Sequence, residues 1–141
     1  MKYRAISKSI RWPFLVLTPA CLFLGWSAVI ANQTEVEMHL FVLSFLGAVF
    51  AHISVNTLNE YLDFKSGLDL NTRKTKFSGG SGALPENPEM AMAVLSVGIS
   101  TFMLTLLIGL FFIWQYGWGV VPIGIAGLLL IVFYCDDCHR H

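Results

Sequence analysis

Four apolar runs dominate this chain and leave few folds open to it. They extend from about Trp12 to Ala31, His39 to Leu58, Met90 to Tyr116 and Trp118 to Tyr134. Each is close to the roughly 20 residues a helix needs to cross about 30 Å of hydrocarbon. The third and fourth are apolar on every side, whereas the helices of a water-soluble core keep a polar face. Charged residues make up 13% of the 141 residues, about half the quarter usual in soluble domains. The sequence therefore predicts an all-α fold, a multi-pass transmembrane helical bundle. Its four helices are expected at about 12–31, 39–63, 90–116 and 118–134, in a single membrane domain over 1–141 with a polar loop at about 64–89.

The basic residues give this topology a direction. Lys2, Arg4, Lys8 and Arg11 precede the first run, Lys65, Arg73, Lys74 and Lys76 lie between the second and third, and Arg140 follows the fourth. The other two connections, around Asn32–Met38 and Gln115–Gly117, contain no Lys or Arg. All nine thus fall on one side, which the positive-inside rule makes cytoplasmic, with both termini there. In a bacterium that would be the inner membrane. The basic lead followed by an apolar stretch also resembles a signal peptide, but the stretch is long for one and three further runs follow, so a retained helix is expected. Trp12, Trp26, Trp114, Tyr116 and Trp118 lie near segment ends, as interfacial aromatics do. The net charge of zero supplies no field for nucleic acid, and none is expected as a partner.

The end of the second run carries chemistry. His52, Asn56, Asn59, Glu60 and Asp63 recur at helical spacing, so that they share a face, while Ile53, Val55, Leu58 and Leu62 take the others. A helix simply leaving the membrane would account for Glu60 and Asp63. It accounts less well for the alignment, and polar groups at membrane depth usually line a site. His52 and Asn56 are expected to line its pocket, although a helix–helix hydrogen bond is an equal reading of His52.

Two carboxylates one turn apart repel unless a cation lies between them. Asp69 stands six residues beyond Asp63, within reach if the chain turns at Ser66–Gly67. An oxygen-only donor set suits Mg²⁺, which keeps several waters and bridges carboxylates to phosphates. Arg73, Lys74 and Lys76 follow closely, and a metal beside a basic cluster fits a diphosphate. The segment FSGGSG offers backbone N–H groups or a flexible closure, though a mobile linker has the same composition.

At these residues, NTLNEYLDFKSGLD and the basic, glycine-rich stretch after it, the sequence resembles the UbiA superfamily of intramembrane prenyltransferases. Asn59 matches the Asn of the family's first aspartate-rich motif, Glu60 stands where an Asp is usual, and Asp63 and Asp69 match the later acids. The gap to Asp69 resembles the menaquinone branch, the 1,4-dihydroxy-2-naphthoate polyprenyltransferases. The resemblance implies Mg²⁺-dependent transfer of a polyprenyl group from polyprenyl diphosphate to an aromatic acceptor in the lipid bilayer. It makes Asn59 and Asp63 catalytic, Asn59, Glu60, Asp63 and Asp69 the metal site, and Arg73, Lys74 and Lys76 the diphosphate contacts. Family members are longer and carry a second aspartate-rich motif, which Asp136 and Asp137 do not reproduce. The expectation is thus the N-terminal half of such an enzyme, truncated and inactive or poorly active alone.

Competing readings are a small transporter and a structural membrane partner. A transporter would place ionisable groups on several helices, whereas here the other runs carry almost none. The tail CDDCHRH spells the C-x-x-C-H of haem attachment with Cys135, Cys138 and His139. Haem attachment takes place outside the cytoplasm, so no haem is expected, and ligands this close together do not readily close a zinc tetrahedron. Pro19 and Pro122 are expected to kink their helices, and Gly124 and Gly127 to allow close helix packing.

Overall fold

The computed structural model describes residues 2–33, 35, 37–67 and 81–137, with the backbone alone for residues 2, 3 and 131–137. In chain order its helices are α1 (Lys2–Ile10), α2 (Trp12–Leu15), α3 (Leu17–Ala31), α4 (Met38–Ser66), α5 (Ala83–Glu86), α6 (Ala91–Tyr116) and α7 (Val121–Asp137). Short 3₁₀ turns at Pro88–Met90 and Trp118–Val120 lead into α6 and α7. Three stretches are long and apolar enough to cross a membrane: Arg4–Ala31, Met38–Ser66 and Pro88–Tyr116. Trp118–Leu130 is a shorter apolar helix. The fold is a multi-pass helical bundle, as expected, with its fourth apolar segment shorter than the other three among the described residues.

The basic lead is itself a helix. In α1, Ala5 and Ser9 stand one turn apart and are buried, while Arg4, Ser7 and Lys8 are exposed. This spacing gives α1 an inner face, which packs on α4 and α5. The chain then turns at Arg11, which adopts the left-handed conformation (φ 56°, ψ 56°), a state that is strained for a residue with a Cβ. Pro13 stands in the first turn of α2, Pro19 in the first turn of α3 and Pro122 second in α7. In a first turn the missing N–H has no intrahelical partner to lose. These prolines therefore mark helix starts, where kinks within helices were expected.

The central pair is α4 and α6. Gly47 meets Ile108, and Gly98 meets Thr57 and Leu58, so the two helices run antiparallel. A Cβ built on Gly98 would lie 2.8 Å from Leu58 Cδ2 and 2.9 Å from Thr57 Oγ1. Ser54 Oγ donates to the Gly98 carbonyl at 3.1 Å across the same seam. Close backbone approach through a small residue is how membrane helices associate. The expectation for Gly124 and Gly127 is corrected: among the described residues, no heavy atom beyond their own stretch of helix lies within 4 Å of their Cβ positions. Small residues alone do not mark a seam, because the partner must also approach.

Large apolar side chains stay outside. Leu24, Leu107, Leu130 and Trp118 are 72%, 61%, 71% and 82% exposed, a surface made for lipid rather than water. The buried apolar cluster is Ala5, Ala83, Leu84, Met90 and Val94, with Ile6, Tyr61 and Phe64 packed against it. It sits where α1, α5 and the start of α6 meet the last turns of α4. That end of the bundle is where the polar residues converge.

Candidate functional site

The last turns of α4 carry the site because the helix continues past the apolar run. It ends at Gly67, whose left-handed conformation (φ 77°) closes the helix. Ser66 Oγ donates to the Asp63 carbonyl there. On a helical wheel, His52, Asn56, Asn59 and Asp63 fall within about 60° of one another, and Glu60 lies about 40° beyond that arc. The side chains accordingly divide into three groups.

Asn59 and Asp63 form a pair. Asn59 is 4% and Asp63 6% exposed, and Asn59 Nδ2 donates to Asp63 Oδ2 at 3.0 Å. A carboxylate accepts only, so this bond fixes which way the amide faces. Asn59 Oδ1 is left buried with no hydrogen-bond partner among the described residues. A buried polar atom without a partner is costly and calls for an explanation, of which a ligand or ion is one.

Glu60 turns elsewhere. It is fully buried, and its two oxygens accept from four donors. Ser81 Oγ and the Ala83 N–H donate to Oε1 at 2.6 and 3.1 Å. The Ser81 N–H and Arg11 Nη2 donate to Oε2 at 2.9 and 3.4 Å. Four donors occupy about all the lone-pair positions of a carboxylate. Burying a charge is expensive unless it is hydrogen-bonded and paired, and this one is both.

His52 and Asn56 face α1–α3. His52 Nδ1 and Thr18 Oγ1 are hydrogen-bonded at 2.9 Å, and Asn56 Nδ2 donates to the Ile10 carbonyl at 2.9 Å. Both residues line a cavity of about 700 Å³ whose walls include Arg11, Phe14, Leu17, Thr18 and Val55. The two readings of His52, pocket wall and helix–helix bond, describe one geometry. Asn56 holds the end of α1 just before the strained turn at Arg11.

The arrangement thus has a buried amide–carboxylate pair, a saturated glutamate beside it, and an apolar cavity with Arg11, His52 and Asn56 on its wall. Among the described residues, no three His, Cys, Asp or Glu side chains converge on one point. Asp69, Arg73, Lys74, Lys76, Gly79 and Gly80 lie outside the described residues, as do Cys138, His139 and His141.

Sequence reasoning missed Arg11, Thr18, Ser81 and Ala83. Arg11 counted only as one of nine sidedness charges, yet it reaches both Glu60 and the cavity. Its Nε is buried and has no hydrogen-bond partner among the described residues. A basic residue directly before Trp12-Pro13, at the entry of an apolar run, was the available signal. Nothing local distinguishes Ser81 from its glycine-rich neighbours.

Residues 17–140 match the family model of the UbiA prenyltransferase family. The 1,4-dihydroxy-2-naphthoate octaprenyltransferase of Bacillus subtilis (strain 168) is 25% identical over 100 residues, which cover 71% of this chain. The matched stretch spans 31% of that relative's length. No solved structure gives a significant match.

Proposed function

Since the chain belongs to the UbiA prenyltransferase family, we propose that it binds a polyprenyl diphosphate with Mg²⁺ at the end of α4. On this reading it serves transfer of the prenyl group to an aromatic acceptor within the membrane. The similarity to a naphthoate octaprenyltransferase supports a bicyclic acceptor of the menaquinone branch. The observation that carries the proposal is the Asn59–Asp63 pair, whose buried Asn59 Oδ1 lacks a partner among the described residues. An amide oxygen beside a carboxylate is a hard-oxygen donor set of the kind Mg²⁺ takes.

Asn59 and Asp63 would hold the ion, with Asp69 joining them from the following segment. Bound there, Mg²⁺ would offset charge on the diphosphate as it leaves. Arg73, Lys74 and Lys76 would contact diphosphate oxygens, as charge-assisted bonds favour. When the allylic C–O bond breaks, its electron pair departs with the diphosphate. The ring carbon of the acceptor then attacks the carbocation and gives up its proton to the released diphosphate. The cavity beside His52 and Asn56 would seat the acceptor, and its apolar wall would keep water from the cation. Both termini and the site would face the cytoplasm, as the distribution of basic residues supports.

The test is binding of geranylgeranyl diphosphate to the purified protein with and without Mg²⁺. Binding should require the metal, and Asp63→Asn should weaken it by about tenfold or more. Equal affinity in wild type and Asp63→Asn would remove the assignment.

A further inference from the structure

We propose that Glu60 is a positioning residue and not a ligand of the metal. It clasps the Ser81–Ala83 backbone and the Arg11 guanidinium to the turn of α4 that carries the Asn59–Asp63 pair. The proposal rests on the reading of that pair as the diphosphate site and adds what holds its surroundings in register.

Three observations carry it. First, Glu60 is fully buried, and each of its oxygens already accepts two hydrogen bonds. A metal would have to displace donors already seated on both oxygens, the Arg11 guanidinium among them. Second, the bonds tie three separate places together: the end of α4, which carries Glu60, the strained turn at Arg11, and the start of α5. Ala83 and Leu84 next to the clasp are themselves fully buried against Ala5 and Val94. The clasp is therefore backed by apolar packing. Third, the chain leaves α4 at Gly67 and is next described at Ser81, which is bound to Glu60. Glu60 and Gly67 are seven positions apart, about 10 Å along a helix. Gly67 and Ser81, the described residues on either side of that interval, thus both lie at the last turns of α4. Glu60 holds Ser81 there.

Side-chain length follows from this role. Asp at position 60 would be shorter by one methylene, about 1.5 Å, and its carboxylate would fall out of reach of Ser81 and Arg11 together. An Asp suits a metal ligand, whereas a Glu is needed to span the gap.

The experiment compares Glu60→Gln and Glu60→Asp with wild type in the full chain, using three readouts. Amide exchange is followed at Ser81 and Ala83, Mn²⁺ binding is followed by electron paramagnetic resonance, and geranylgeranyl diphosphate binding is measured with Mg²⁺. A clasp predicts that exchange at Ser81 or Ala83 speeds up about tenfold in both variants. It predicts that diphosphate affinity falls about tenfold in both, while Mn²⁺ affinity stays close to that of wild type, because the donors to Glu60 come from Ser81, Ala83 and Arg11 and not from Asn59 or Asp63. Two results would overturn it: unchanged exchange in Glu60→Gln, or Mn²⁺ binding lost in Glu60→Gln and restored in Glu60→Asp. If wild type binds no diphosphate, the functional reading falls, and the exchange data still decide the clasp.

Discussion

From Met38 to Ala51, α4 presents Met38, Val42 and Leu46 outward, at 59%, 48% and 41% exposure. It meets its neighbours there through rings and small residues: Phe41 against Trp26 at 4.3 Å between centroids, and Gly47 against Ile108. From His52 to Ser66 the same helix buries Ser54, Thr57, Asn59, Glu60 and Asp63 and bonds to α1, α3, α6 and the start of α5. In lipid, apolar surface gains little by leaving its surroundings, so shape and backbone approach hold the first half. At the other end, each buried polar group must find a partner or remain costly, so hydrogen bonds dictate the arrangement. One helix thus joins a half that tolerates change to a half that does not.

The contrast breaks most visibly at glycines. Gly98→Ala forces a methyl into atoms under 3 Å away and should destabilise by about 3 kcal/mol, the upper end for overpacking. Gly124→Ala meets nothing within 4 Å among the described residues and should stabilise by about 0.5 kcal/mol, because glycine weakens a helix relative to alanine. Thermal unfolding in one detergent compares the two directly, and equal effects would contradict the α4–α6 seam.

Arg11 separates side chain from backbone. Arg11→Ala removes a donor from buried Glu60 and should destabilise by about 2 kcal/mol. Arg11→Gly loses the same donor but relieves the left-handed backbone, recovering about 1 kcal/mol of that loss. If the two variants melt together, the turn carries no strain.

The smallest effect belongs to the bond between helices at Thr18 and His52. Thr18→Val should lower stability by only about 0.6 kcal/mol, the average for hydrogen bonds between membrane helices. A loss several times larger would give that bond a weight comparable to the polar end of α4.

Much of this was legible before any coordinates. The apolar runs and the polar spacing on the second of them pointed to the bundle and to its working end. The helical character of Lys2–Ile10 was present too, in Ala5 and Ser9 one turn apart, but a basic lead read as a charge count hid it. What could not be read was direction within the polar group. Asn59 and Glu60 are adjacent in sequence and equally polar, yet one pairs with Asp63 and the other reaches across to Ser81 and Arg11. That division depends on where residues distant in the chain place their donors. Likewise, among the described residues a Cβ on Gly98 would meet α4, whereas one on Gly124 would meet nothing.

By itself the sequence determined that this chain is helical and membrane-bound, and which helix end carries its polar chemistry. Periodicity and hydropathy are local, and the bilayer leaves a backbone little choice except helix. Tertiary structure alone decided that Glu60 is saturated, that Asn59 keeps an oxygen unclaimed among the described residues, and that Arg11 belongs to the site. A buried polar group is defined by the partners it finds, and these come from across the chain.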